Sequence, residues 1–237
     1  YYQPQVEVES RRIVGVEALL RWKSADFGTF SSADCIAIAE QSGLINQLGA
    51  WAIDAACRQA RAWQDEGLDG LTVSVNLSVR QLHTCDIVRL VHETLTRTGL
   101  DPAFLELEIT ETILMKNNAE ILDKLKALTG LGVKLAIDDF GTGYSSLSYL
   151  RRLPIHRLKI DKSFVRDSHV TPDDAAIAGA IIAMARRLGI EVTAEGVENE
   201  EQMAILKQAG CHLVQGYYFG SPLPAAEMAK LIRQLRN

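Results

Sequence analysis

Leu105-Glu106-Leu107-Glu108-Ile109-Thr110, then residues 121–128, then Lys134-Leu135-Ala136-Ile137-Asp138 decide the architecture. In the first and third segments apolar residues alternate with polar or small ones, the period of a strand with two different faces. Across 121–128 the apolar residues recur at helical spacing. Strand, helix, strand is the repeating unit of a parallel sheet covered by helices, and the intervals are long enough for helical crossovers.

The same alternation extends outward in both directions. Strand-like segments at 5–9, 13–19, 72–77, 157–160, 191–194 and 212–215 bring the number to eight, and helical spacing recurs at 48–63, 87–95 and 203–209. One more helix is punctuated at both ends. Thr171-Pro172-Asp173-Asp174 offers an N-cap, a proline and two acids, and Arg186-Arg187-Leu188-Gly189 offers cations and a glycine stop. Ser10-Arg11-Arg12 is too short for a crossover, so the first two strands should form an antiparallel hairpin. A closed eight-stranded α/β barrel with one reversed strand near the N-terminus fits these lengths; an open doubly wound sheet fits the periodicity as well.

Barrel enzymes build their sites from the C-terminal ends of their strands. Those ends carry Glu17, Asn76, Glu108, Asp138 with Asp139, Lys159, Glu195 and Gln215. Acids converging on one mouth repel unless they are protonated or hold cations, and an all-oxygen set favours Mg²⁺ or Mn²⁺ over zinc. The chemistry this implies is two-metal phosphoryl transfer. Gly141-Thr142-Gly143, next to the paired aspartates, lacks a full phosphate-loop signature and reads better as a gate beside the metals.

Composition removes other classes. Twenty-five Lys and Arg against 30 Asp and Glu leave a net charge of −5, so no basic field exists to hold a DNA or RNA duplex. Cys35, Cys57, Cys85 and Cys211 form no C-x-x-C pair and read as reduced core thiols in a cytoplasmic setting. His83, His92, His156, His169 and His212 show no metal spacing and read as structural or surface groups. The longest uncharged apolar run, 175–185, falls short of the roughly 20 residues that span a bilayer. The chain opens Tyr1-Tyr2-Gln3-Pro4 without an initiator Met, and residues 1–237 read as one domain of a longer protein.

Glu17-Ala18-Leu19-Leu20-Arg21-Trp22 is the first of several motifs that occur together. The others are Val75-Asn76-Leu77-Ser78, Glu108-Ile109-Thr110-Glu111, Asp138 through Gly143, Leu158-Lys159-Ile160-Asp161, Ala194-Glu195-Gly196-Val197-Glu198 and Gln215-Gly216-Tyr217. Over nearly its whole length the chain resembles the EAL domain, the phosphodiesterase module acting on cyclic di-GMP. The resemblance implies a modified TIM (β/α)8 barrel that opens one phosphodiester to give linear pGpG with two Mg²⁺ or Mn²⁺ ions, Ca²⁺ being inhibitory. It also implies a homodimer and sensory or GGDEF domains upstream in the parent chain, which could itself be membrane-anchored.

Carried over position by position, the resemblance implies that Glu17, Asn76, Glu108 and Asp138 hold one metal. Asp138, Asp139 and Glu195 hold the second. Lys159 and Gln215 would lie beside the attacking water, with Glu17 and Glu195 completing the catalytic group. Gln3, Arg21, Glu198 and Asp161 would contact the dinucleotide, and Glu111 would anchor the 139–148 loop, the competing reading being a solvent-exposed acid. The chain departs from the family pattern in the segment from Lys23 to Cys35, which leads toward the substrate cleft. Two other readings compete: a cyclic di-GMP receptor that signals without hydrolysis, and an unrelated Mg²⁺-dependent barrel of the enolase type.

Overall fold

In a computed structural model, β1 (Tyr2–Glu7) and β2 (Ile13–Ala18) pair antiparallel, as the short interval between them requires. The structure describes residues 1–24, 28–30, 32–115, 119–143, 147–168 and 171–236. β1 begins three residues earlier than the expected 5–9 and takes in Pro4, which cannot donate to a ladder. It is tolerated here since β1 pairs with the last strand only at Val6 and Glu7, so the missing N–H of Pro4 leaves no ladder bond unmade.

A two-stranded excursion follows, β3 (Trp22–Ser24) and β4 (Gly28–Phe30), which the sequence did not signal. Next come α1 (Ser32–Ser42) and α2 (Ile45–Asp65), the latter burying Ile45, Gly49, Ile53, Ala56, Cys57, Ala60 and Trp63 along one stripe. β5 (Thr72–Asn76) leads through α3 (Val79–Thr84) and α4 (Ile87–Thr98) to β6 (Leu105–Thr110). α5 (Ala119–Gly130) returns the chain to β7 (Lys134–Phe140), and the short α6 (Leu147–Leu150) leads to β8 (Arg157–Ile160). After α7 (Ser163–Arg166) and α8 (Pro172–Arg187), β9 (Glu191–Glu195), α9 (Glu200–Ala209), β10 (Leu213–Gln215) and α10 (Ala225–Arg236) complete the chain.

The eight longer-range strands close in the order β1-β10-β9-β8-β7-β6-β5-β2, so the doubly wound alternative is excluded. Only β1 is antiparallel to its barrel neighbours; all other pairings are parallel. α8 starts where Thr171 predicted it, yet the Thr171 side chain makes no cap hydrogen bond; Pro172 and the acids Asp173 and Asp174 mark that end instead. No helix among the described residues is long and apolar enough to cross a membrane.

Alternate residues of each strand turn outward or inward. Val73, Val75, Leu105, Leu107, Ile109, Leu135 and Ile137 join the helices in the apolar core. The inward set is polar even in its middle layer. Gln5 Nε2 donates to Ser74 Oγ, Ser74 Oγ to Glu106 Oε1, and Arg157 Nη1 to Glu106 Oε1, all buried. β6 and β8 are not neighbours, so Glu106 and Arg157 meet through the barrel interior. Barrel interiors are more often filled by bulky aliphatic side chains. Here the filling is polar from the middle up to the rim.

Candidate active site

Strand parity places Glu17, Asn76, Glu108, Asp138, Lys159, Glu195 and Gln215 at one mouth of the barrel, near the C-terminal ends of their strands. Gln3 joins them from the start of β1, opposite Glu17, because β1 runs the other way. Lys159 Nζ lies at the centre, 2.6 Å from Glu108 Oε2, 2.7 Å from Glu195 Oε1, 3.2 Å from Asp138 Oδ1 and 3.3 Å from Glu17 Oε2. Glu17 also accepts from Gln215 Nε2 at 2.6 Å and from Asn76 Nδ2 at 2.7 Å. Gln215 Nε2 reaches Gln3 Oε1 at 3.1 Å, which extends the network to the reversed strand.

Adjacent residues of a regular strand point to opposite faces, so Asp138 and Asp139 could not share a mouth without a distortion. The β7–β8 register shifts between Ile137 and Phe140, and Asp139 adopts φ +54°, the left-handed region that non-glycine residues rarely enter. Asp138, Asp139 and Glu195 each then offer an oxygen within 4.8 Å of the others. The turn that follows is held by Glu111, which is buried rather than solvent-exposed. Its Oε2 accepts from Gly141 N at 2.8 Å and Gly143 N at 3.2 Å. Gly141 is required twice over: its φ is +105°, and a Cβ would stand 2.8 Å from Phe164 Cε2. Tyr144 to Ser146, also in the expected loop, lie outside the described residues.

Environment separates the carboxylates. Burial alone would raise Glu17, but the Lys159 charge and the donors Gln215 and Asn76 hold its pKa below the usual value. Glu108 is pushed well above it by burial and then by the charge of Glu17, with Lys159 opposing. Glu195 is raised to about 7, chiefly by burial. Asp139 is raised by burial and by Asp138 and Asp161. Burial opposes the Lys159 charge, yet Glu108, Glu17, Glu195 and Asp138 overcome it and raise that pKa well above normal.

These residues fit divalent cations. Fully ionised, the five carboxylates beside one ammonium would be four positive charges short of balance, which two divalent ions would supply; the raised pKa values of Glu108, Glu195 and Asp139 show how poorly the cluster tolerates that charge unaided. Glu108 Oε1 is buried and has no hydrogen-bond donor among the described residues. Buried carboxylate oxygens need a donor or a cation. Oxygen ligands of this kind suit hard ions.

The remaining predicted residues lie at varied distances from this network. The Arg21 guanidinium is half-buried just beyond β2, donating to Leu20 O at 2.8 Å. Asp161 stands just before α7, its Oδ1 accepting from Ser163 N at 2.9 Å. Glu198 is exposed, and its backbone N–H is taken by Gln202 Oε1. A cavity of about 900 Å³ opens beside Asn76 and Glu108, walled by β2, α1, α2 and the β5–α3 turn. Of the atypical segment, Asp26 and its neighbours 25–27 and Ser31 lie outside the described residues; Cys35 is buried in α1. His156 and His212 are structural, each Nδ1 accepting a backbone N–H, while His169 lies outside the described residues. The sequence reading missed Glu40, an α1 residue that lines the cavity and accepts from Ser78 Oγ. Nothing in its local pattern distinguishes it from a surface acid.

The EAL domain family model matches residues 1–222. The cyclic di-GMP phosphodiesterase NbdA of Pseudomonas aeruginosa is 44% identical over 236 residues, covering 100% of this chain and 30% of its own. The structure of the P. aeruginosa MucR phosphodiesterase in complex with c-di-GMP superposes with a TM-score of 0.92 at 44% identity, covering 96% of this chain and 92% of that one. Klebsiella pneumoniae BlrP1, solved with manganese and cyclic di-GMP, superposes with a TM-score of 0.81 at 33% identity, over 93% of this chain and 55% of that one. The chain spans about a third or less of the length of curated relatives it matches, among them NbdA and MucR. Barrel order, reversed first strand, rim carboxylates and these likenesses agree: the chain belongs to the EAL domain family.

Proposed function

We propose that this domain hydrolyses one phosphodiester of cyclic di-GMP to linear pGpG with two Mg²⁺ or Mn²⁺ ions. The observation that carries the reading is the cluster of five rim carboxylates around Lys159, which when fully ionised would be four positive charges short of balance, in a chain of this family. Glu17, Asn76, Glu108 and Asp138 would hold one ion; Asp138, Asp139 and Glu195 would hold the other, with Asp138 shared. When bound, such ions acidify water and neutralise phosphoryl oxygens. Lys159 and Gln215, both on Glu17, hold the attacking water in orientation.

Glu111 sets the 139–143 turn and so fixes where Asp139 stands. The apolar cleft beside Asn76 receives a base and excludes solvent from it. Arg21 and Gln3 bind the phosphate and sugar side of the ligand, and Glu198 and Asp161 flank it. This domain is proposed to act in the cytoplasm as a homodimer, within a parent chain that carries sensory or GGDEF domains upstream of the span covered here, and without binding nucleic-acid duplexes. The partial coverage of its longer relatives supports the further domains, and the acidic net charge supports the last point.

Chromatography of the purified domain with cyclic di-GMP and Mg²⁺, beside a chelated control and Glu17→Ala, tests the activity. Metal-dependent pGpG absent from both controls is the expected result. Tight binding without product would replace the enzyme by a receptor.

A further inference from the structure

Glu40 projects from α1 into the wall of the 900 Å³ cleft that also touches Asn76 and Glu108. Ser78 Oγ donates to Glu40 Oε1 while the same hydroxyl oxygen caps α3 by accepting from Arg80 N at 3.1 Å. The carboxylate is therefore held on Ser78, two residues along the chain from Asn76. Among the described residues no Lys, Arg or His pairs with it. The cleft around it is mainly apolar, with Leu19, Leu20, Ile36, Ile45, Leu48 and Val79 in its walls and Arg80 and His83 also lining it. A carboxylate accepts about four hydrogen bonds. With one of these made, Glu40 keeps both oxygens available for donors in surroundings where an unmet acceptor is costly.

The ligand that completes this site must be flat, to lie between apolar walls, and must present two adjacent N–H donors to a carboxylate. Guanine does so through N1–H and the N2 amine. Adenine does not, because its N1 is an acceptor and would oppose a carboxylate oxygen. We propose that Glu40 reads the Watson–Crick edge of one guanine and so sets the base specificity of the cleft. The proposal rests on the cyclic di-GMP reading and adds to it the residue that rejects other purines.

The test uses titration calorimetry in Ca²⁺, chosen to halt turnover, on wild type and Glu40→Gln. The probes are cyclic di-GMP, its inosine analogue lacking the N2 amines, and cyclic di-AMP. Glu40→Gln should bind cyclic di-GMP about 10- to 100-fold more weakly, and the preference for guanine over inosine should shrink by about fivefold or more. In Mg²⁺ turnover the loss should fall on KM rather than kcat. An unchanged affinity and guanine-to-inosine ratio in Glu40→Gln would overturn the proposal. Equal binding of the guanine and inosine ligands by wild type would overturn it too, whether or not the variant folds. Wild type that binds with the guanine preference but makes no pGpG would sink the phosphodiesterase reading and leave this one standing.

Discussion

Glu17 and Glu108 share Lys159, yet their surroundings push their acidities in opposite directions. Glu17 receives two amide donors besides the ammonium, whereas Glu108 Oε1 receives none among the described residues. Glu17 is thus the carboxylate the protein keeps ionised, and Glu108 the one that gains most from a cation. Glu17→Ala should lower turnover by at least about 100-fold. The fold should persist, shown by an unchanged far-UV circular dichroism spectrum; near-normal turnover would remove Glu17 from the metal set. A second prediction concerns the thiols. Burial pushes Cys57 and Cys211 up to about 12, so both should resist alkylation at pH 8 in the native domain and react once it is unfolded. Peptide mass mapping of the labelled sites checks this; rapid native labelling of either would contradict their placement.

At the level of elements, the paired aspartates owe their position to a distortion of β7, and the turn after it is tied to Glu111. Glu111→Ala should release the amides of Gly141 and Gly143, raising their hydrogen exchange and lowering turnover about 10- to 100-fold through a displaced Asp139. Unchanged exchange and kinetics would make the contact incidental. Gly141→Ala should cost about 2 kcal/mol in stability, from the forced left-handed backbone and the approach to Phe164, read by denaturant unfolding. The sequence showed all eight barrel strands because their polar and apolar faces alternate, and it showed which acids stand at strand ends. It did not show β3 and β4, whose three residues each carry too little pattern to read. Nor could alternation reveal the register shift at Asp138 and Asp139, since an irregular backbone leaves no periodic trace. Glu40 escaped for a related reason: its role depends on Ser78, which is 38 positions away.

Across the whole molecule, the charged interior couples folding to cations. The unfolded chain scatters the five rim carboxylates, so divalent ions bind the folded state in preference and stabilise it by mass action. The melting temperature should rise with Mg²⁺ concentration, fall on chelation, and respond much less in Glu17→Ala. Differential scanning calorimetry over a Mg²⁺ series would show this, and a flat response would argue against a cation site. Ca²⁺ should raise the melting temperature too while suppressing turnover, because a larger ion with looser geometry misplaces the reacting groups. The reversal of β1 adds a mechanical property. It brings the first residues of the chain to the catalytic rim, where Gln3 touches Gln215. A tug at Tyr1 therefore acts on the strand that carries Gln3, whose ladder to β10 is only two residue pairs long, Val6 with Val214 and Glu7 with Leu213. Tension on that tether would be felt at the mouth before the rest of the barrel yielded.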